Sequence, residues 1–302
     1  MSSETRMGLL AALAAYLIWG LLPLYFRWLG HIRPDELLAH RIIWAVPTGI
    51  VFVALAARWE TLRRLITVKT LAWLSLSALL IGVNWMLYIW SVFAERVMEA
   101  SLGYYINPLI NVMFGLIFFG ERLRWAQWLS VAIAAVGVII LAFAFGRPPW
   151  VAFVLCFTFA FYGTVRKHIQ VDGRAGFVIE AALLCPFAAI WLGQLVASGA
   201  AGPMGRDAWD IPLIFALGPI TAVPLILFTV AASRLTLSTV GMMQYIAPTL
   251  QFATAVLLFG EAFSNTHAVA FGFIWVALTI FTADSVLGTA KARRLARSAR
   301  LT

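Results

Sequence analysis

Polar side chains recur at helical spacing within the most apolar stretches of this chain. Tyr104, Asn107 and Asn111 are three and four residues apart, so one face of a helix would carry all three. Gln244 and Gln251 lie about two helical turns apart in a later stretch. An amide group in hydrocarbon is costly unless it is hydrogen-bonded, so these faces are expected to point away from lipid. Such groups could orient a bound solute or join helices by hydrogen bonds, and both interpretations stay open.

Aromatic side chains near these polar faces complete a predicted substrate cavity. Their rings would stack on the apolar part of a solute, a weakly discriminating contact that suits a broad substrate range. Tyrosine and amide groups would orient the polar part of the solute. The predicted cavity residues are Trp19, Asn84, Trp85, Tyr88, Tyr104, Asn107, Asn111, Phe228, Gln244, Tyr245 and Gln251.

Four ionisable residues inside apolar stretches are predicted to be gate elements or members of a proton relay. Glu36 and His40 are four residues apart and could pair on one helical face, with Arg41 beside them. A buried arginine costs about 2.5 to 3.5 kcal/mol on insertion scales, so a nearby acid or cavity water is expected. Local pairing with snorkelling is the alternative for Arg41. For Glu180 the alternative is neutralisation of the basic pair 166–167.

Composition identifies the environment of these residues. Of 302 residues, 12% are charged and 63% are apolar, and the mean hydropathy is +0.92. Soluble domains carry about 25% charged residues, so this chain predicts an all-α integral membrane protein whose spans need about 20 apolar residues each. Ten transmembrane helices are predicted, at 8–26, 37–57, 70–93, 101–120, 126–145, 150–165, 177–197, 211–232, 238–260 and 267–287.

The chain contains an internal repeat. The run 105–108 (YINP) corresponds to 245–248 (YIAP), and 119–121 (FGE) corresponds to 259–261 (FGE). Because each copy holds five predicted helices, an odd number, the second copy would enter the bilayer inverted, which is typical of secondary transporters. The predicted units are two inverted five-helix repeats, 1–146 and 147–288, and a basic cytoplasmic tail, 289–302.

Prolines inside the predicted spans indicate helix kinks. Each removes a backbone donor, and lipid tolerates this only where neighbouring groups or cavity water satisfy the freed carbonyl. Pro47 and Pro186 occupy matching places in the two repeats, as do Pro108 and Pro248. Matched kinks favour a gated cavity, although membrane helices carry more proline than soluble ones in any case.

The net charge of +9 is explained by membrane orientation rather than by nucleic-acid binding. In the ten-span topology, every second connection lies on the same side of the membrane as the N-terminus and the C-terminal tail. This side holds sixteen of the 22 Lys and Arg residues. This positive-inside pattern predicts that both termini are cytoplasmic and that the tail from Lys291 rests on anionic lipid. The predicted partners are membrane lipids and a small-molecule substrate, with no nucleic acid; the oligomeric state stays open.

No catalytic motif is recognised in the sequence. It has no HExxH helix, no nucleophile elbow and no phosphate-binding GxxxxGK[ST] loop, so an enzyme and an ATP-driven pump are not expected. Cys156 and Cys185 lie within apolar spans without metal-ligand spacing, so neither a metal nor a cofactor is predicted. A channel or a receptor-like binding protein on the same scaffold is the alternative to a carrier.

Several runs give the chain a family resemblance from about residue 8 to residue 287. They are 36–44 (ELLAHRIIW), 84–85 (NW), 99–108 (EASLGYYINP), 160–167 (AFYGTVRK) and 237–248 (LSTVGMMQYIAP). The chain resembles the EamA family of the drug/metabolite transporter superfamily. That resemblance implies a pseudosymmetric ten-helix transporter of the bacterial inner membrane, with a cavity lined by the third, fourth, eighth and ninth helices. The expected function is alternating-access export or exchange of small amphipathic metabolites or drugs. Substrate, direction and coupling ion stay open.

Overall fold

A computed structural model describes residues 3–93, 97–144, 149–201, 208–259 and 265–298. These residues form helices joined by short connections, and they contain no strand. In chain order the helices are α1 (Ser3–Trp28), α2 (Pro34–Leu55), α3 (Trp59–Arg64), α4 (Val68–Phe93), α5 (Val97–Phe119), α6 (Trp125–Ala144), α7 (Trp150–Ile169), α8 (Gly173–Ala197), α9 (Asp210–Arg234), α10 (Leu237–Gln244), α11 (Ile246–Phe259) and α12 (Asn265–Ser298).

The helices include several that are long and apolar enough to cross a membrane. By length and hydropathy there are seven such stretches among the described residues: Ser3–Phe26, Pro34–Leu55, Val68–Tyr88, Leu102–Phe119, Trp125–Phe143, Gly173–Ala197 and Asp210–Arg234. A shorter apolar stretch, Ala268–Asp284, lies in α12. The prediction of an all-α, multi-pass membrane protein is therefore confirmed, whereas the count of ten spans stays a prediction.

The predicted ninth span is divided into two helices. α10 ends at Gln244, and α11 begins at Ile246, two residues before Pro248. Because proline has no N–H to donate to the carbonyl one turn earlier, it is suited to follow such a break. The other predicted kink prolines, Pro47, Pro108 and Pro186, lie inside α2, α5 and α8, and each of these helices is continuous through its proline.

Glycines mark the places where helices of different halves approach most closely. A methyl group added at Gly241 of α10 would lie 2.9 Å from the carbonyl oxygen of Pro108 in α5. One added at Gly103 of α5 would lie 2.8 Å from the carbonyl oxygen of Ala152 in α7. The missing side chains let these backbones pack together, as is common in membrane helix bundles.

The outer surface is apolar, and the amide-bearing faces point inward. Leu55, Phe143 and Leu257 are among the exposed large side chains, whereas Asn107 and Asn111 are fully buried. This is the inverse of a soluble surface and suits lipid. Glu261 of the second FGE run, the predicted repeat boundary at 146–147 and residues 299–302 of the predicted tail lie outside the described residues.

Candidate substrate cavity

A cavity of about 90 Å³ lies between α1, α4, α5, α10 and α11. Seven of the residues predicted from the sequence line it: Trp19, Asn84, Trp85, Tyr88, Tyr104, Gln244 and Gln251. The other lining residues are Tyr16, Leu22, Pro23, Phe26, Arg41, Phe159, Leu225, Ala247 and Pro248. Aromatic rings thus alternate with amide and hydroxyl groups around the wall, which is the composition of a site for an amphipathic solute.

Four predicted cavity residues lie one layer behind this wall. Asn107, Asn111, Phe228 and Tyr245 are buried and do not line the cavity. Phe228 supports the wall instead, because its ring centroid lies 5.8 Å from that of Trp19. α9, the predicted eighth span, contributes Leu225 to the described cavity wall. α1, which the resemblance does not name among the lining helices, contributes five lining residues.

A chain of amides joins the cavity wall to the layer behind it. Asn111 Nδ2 donates to Asn107 Oδ1 at 2.9 Å and to Gln244 Oε1 at 3.0 Å. Asn107 Nδ2 in turn donates to the carbonyl oxygen of Cys156 in α7, at 2.9 Å. The interhelical hydrogen bonds left open by the sequence are therefore present, and Gln244 takes part in them while also lining the cavity.

Two further lining amides bridge helices through backbone carbonyls. Asn84 Nδ2 of α4 donates to the carbonyl oxygen of Leu155 in α7 at 2.8 Å. Gln251 Nε2 of α11 donates to the carbonyl oxygen of Trp19 in α1 at 3.0 Å. Each bond fixes the amide plane, so the remaining polar atoms of the amide are held in a set direction beside the cavity.

Arg41 is buried in the cavity wall and is held from two sides. Its Nε donates to Thr221 Oγ1 of α9 at 2.7 Å, and its guanidinium carbon lies 4.3 Å from the ring centroid of Trp85. The expected acid is missing, since no Asp or Glu of the described chain forms an ion pair with Arg41. The nearby Glu36 and His40 are buried as well, and His40 Nε2 has no hydrogen-bond partner among the described residues.

Glu180 belongs to a separate buried ion pair. Its Oε1 lies 3.2 Å from Arg166 Nη1 and accepts a hydrogen bond from Ser77 Oγ at 2.5 Å. The side chain of Arg166 is fully buried, in space left by Gly176, where an added methyl group would clash with the guanidinium. The sequence left two interpretations of Glu180 open, a gate or relay residue and a counter-ion for a basic neighbour. The contact with Arg166 favours the counter-ion.

α5 is bound to the second half of the chain at both of its ends. At its C-terminal end, Glu121 accepts from the backbone N of Ser238 at 3.0 Å and from Ser238 Oγ at 2.6 Å. This carboxylate therefore caps the N-terminus of α10. Lys167 of α7 completes the junction, with its Nζ 3.6 Å from Glu121 Oε1.

At the opposite end of α5, Glu99 Oε1 accepts from the backbone N of Val151 at 2.8 Å, in the first turn of α7. On the same side of the bundle, His31 Nε2 lies 3.1 Å from Asp210 Oδ1 at the start of α9. Polar contacts thus join the two halves of the chain at both ends of the bundle.

Comparison with known proteins identifies the family. Residues 6–143 match the EamA-like transporter family. Over 287 residues the chain is 46% identical to Protein RarD of Escherichia coli (strain K12), a match that covers 94% of this chain and 97% of the relative. The chain belongs to the EamA-like transporter family. An uncharacterized transporter of Vibrio cholerae is 44% identical to this EamA-like transporter, over 96% of the chain and 97% of the relative.

Two more distant matches extend over most of this EamA-like transporter. The Chloramphenicol-sensitive protein RarD of Pseudomonas aeruginosa is 32% identical over 92% of the chain and 94% of its own length. A protein of solved crystal structure superposes with a TM-score of 0.71 over 93% of the chain and 98% of its own length, at 22% identity. The second match shows a shared fold.

Sequence reasoning missed some residues of this EamA-like transporter that the structure places at the site. Thr221, the partner of Arg41, was detectable, because it is a polar residue in an apolar span and shares a helical face with Phe228. Ser77, the partner of Glu180, carried the same signal, because it lies seven residues before Asn84 in an apolar span. Tyr16 of the cavity wall lies three residues before Trp19 and so shares its helical face.

Proposed function

We propose that this EamA-like transporter is a secondary carrier that moves small amphipathic metabolites or drugs across the bacterial inner membrane by alternating access, as an exporter or exchanger. The observation that carries the proposal is the cavity itself: aromatic rings, amides and tyrosine hydroxyls surround a buried space between helices of both halves of the chain. The polar part of the solute meets Asn84, Tyr104 and Gln244, and its apolar part meets Trp19 and Trp85.

The carrier consists of two inverted five-helix repeats, 1–146 and 147–288, with ten spans in all. Contacts between matching elements support this arrangement, because α2 packs against α8 and α6 against α12. Tyr105 and Tyr245 correspond in the two YI[NA]P runs, and their stacked rings lie 6.5 Å apart. A pseudo-two-fold axis through the bundle brings each of these elements next to its own counterpart.

The seam between α5 and α10 is the gate on the predicted cytoplasmic side. Three contacts follow one another along it: Gln244 with Asn111, Gly241 with Pro108, and Ser238 with Glu121. The cavity is smaller than the roughly 300–1,000 Å³ of ordinary ligand pockets, so a drug-sized solute requires the helices to separate. Breaking the seam opens the cavity to the cytoplasm, and breaking the Glu99–Val151 contact opens the opposite side.

Both termini are cytoplasmic, and the basic tail from residue 289 lies against anionic lipid. The end of the bundle assigned to the cytoplasm holds the ion pairs Arg234–Glu4, 2.9 Å, and Arg124–Asp284, 2.5 Å. The carboxylate of Glu180 already has two partners, Arg166 and Ser77, which counts against a proton relay through this residue. Glu36 and His40 are the remaining candidates for a relay.

Cysteine accessibility tests whether the cavity opens to both sides. In a chain with Cys156 and Cys185 replaced by alanine, Gln251→Cys in the cavity wall is expected to react with a membrane-impermeant thiol reagent added to either face of the membrane. The matched control is Leu257→Cys, because Leu257 lies on the same helix but is 79% exposed on the apolar surface. It is expected to react from neither face.

Reaction of Gln251→Cys from one face alone, under every solute condition, contradicts alternating access. Simultaneous reaction from both faces together with conductance far above carrier turnover favours the channel alternative.

A further inference from the structure

Two arginines are buried in the described part of this protein, and the chain neutralises one of them. Arg166 has the carboxylate of Glu180 at 3.2 Å. Arg41 has a hydroxyl partner, Thr221, and an aromatic partner, Trp85, but no carboxylate among the described residues. Burying a charge without a counter-ion is unfavourable, so an anion that binds beside Arg41 would be stabilised by its guanidinium.

The unpaired charge lies at the cavity surface. Arg41 is one of the lining residues, and no Asp, Glu or Lys is found among the described residues of that wall. The cavity therefore has a local positive charge. A solute that carries a negative group gains from this field, whereas an organic cation is repelled by it.

The contacts of Arg41 leave its binding edge available. A guanidinium has five N–H donors, and the single donor on Nε is used by Thr221. The two Nη atoms have no hydrogen-bond partner within the described chain, and they form the fork that fits a carboxylate bidentately. Stacking on Trp85 and the bond to Thr221 hold the guanidinium plane in place before a solute arrives, which lowers the entropy cost of binding.

The surroundings of Arg41 define the rest of the solute. The rings of Tyr88 and Tyr104 have their centroids 5.7 Å apart, and both line the same cavity. Their hydroxyls can donate to the anionic group, and their faces, with Trp19, can take an aromatic or apolar body. An aromatic carboxylate fits this arrangement of one charge, several donors and stacked rings.

We propose that Arg41 is the anion-binding residue of the transport cavity and that the substrates are amphipathic organic anions bound through a carboxylate. This inference rests on the proposed carrier function, since it names the substrate class of the same cavity. Arg41 takes the solute carboxylate as its counter-ion, Thr221 positions the guanidinium, and Trp85 supports it from the other face.

Three ligands on one skeleton test the proposal: 3-phenylpropionate, 3-phenylpropionamide and 3-phenylpropylamine. Isothermal titration calorimetry on the full chain in detergent is expected to give the carboxylate at least tenfold higher affinity than the amide, and the amine the weakest binding. Arg41→Met is expected to remove the preference for the carboxylate while amide binding is retained. Arg41→Lys keeps the charge but loses the fork, so an intermediate preference is expected. Thr221→Val is expected to weaken carboxylate binding with no change for the amide.

Retained amide binding shows that each variant is folded. Equal wild-type affinity for carboxylate and amide, no carboxylate binding at all, or a preference that survives in Arg41→Met overturns the anion site. Failure of the carrier function gives a different result. If neutral and anionic solutes exchange equally well across liposomes, the anion site is wrong but the carrier function stands. If no solute shows saturable exchange, the carrier function itself is contradicted.

Discussion

Replacing Glu180 with leucine is expected to destabilise the protein by about 3–5 kcal/mol, because it leaves Arg166 charged and unpaired in the interior. Both side chains are buried, and the carboxylate also accepts from Ser77. The loss is measured as the shift of the unfolding transition in detergent, followed by circular dichroism. The double variant Arg166→Met/Glu180→Leu is expected to recover most of the loss, because an apolar pair replaces an isolated charge.

The matched control is Glu60→Leu. Glu60 pairs with Arg64 across one turn of α3, but the two side chains are 77% and 76% exposed. An exposed pair of this kind contributes about 0.2–1 kcal/mol, so the control is expected to change stability by no more than that. If Glu180→Leu and Glu60→Leu have equally small effects, the buried pair is not a structural element of this fold.

Gly218→Ala is expected to have a similarly large effect through the backbone. The added methyl group would lie 2.8 Å from the carbonyl carbon of Trp44 in α2, and closer still to its oxygen, so α9 and α2 must move apart. Overpacking costs about 1–3 kcal/mol, and occasionally more. Because Thr221 follows in the same helix one turn later and bonds Arg41, the variant is also expected to weaken carboxylate binding. Unfolding transitions and calorimetry on the same sample measure both effects.

Gly193→Ala serves as the comparison, because nothing lies within 4 Å of the methyl group that it adds to α8. Alanine is favoured over glycine in a helix by about 1 kcal/mol, so this variant is expected to be as stable as the parent or more stable. A Gly218→Ala protein with unchanged stability and affinity would show that the α2–α9 contact is loose.

The helices and the inward direction of the polar faces were predictable from local information. Apolar runs of span length in a chain with few charges fit buried or lipid-facing helices, and amides at helical spacing avoid lipid. Which residues of one face line the cavity and which contact a neighbouring helix was not predictable. Tyr104, Asn107 and Asn111 share a face about one sixth of a turn wide. Neighbouring helices nevertheless divide this face, so Tyr104 lines the cavity while Asn107 contacts α7 and Asn111 contacts α10.

Contacts between residues that are far apart in the chain could not be predicted from a single sequence either. Arg41 and Thr221 are 180 residues apart, and Glu121 and Ser238 are 117 apart. Each pair joins the two halves of the chain, so its geometry depends on how the repeats pack rather than on local pattern. The spacing of Glu36 and His40 indicated a local pair, but it held no information on which of the buried charges would be neutralised by the protein.

Countertransport in proteoliposomes tests the carrier account most directly. Vesicles that contain the purified protein and an excess of unlabelled solute are exposed to trace labelled solute, over a panel of amino acids and aromatic drugs. Alternating access predicts that internal solute accelerates labelled uptake for at least one member of the panel, that uptake saturates, and that protein-free vesicles lack both effects. Uptake that rises linearly with concentration and ignores the solute on the other side would contradict a cavity that opens to one face at a time.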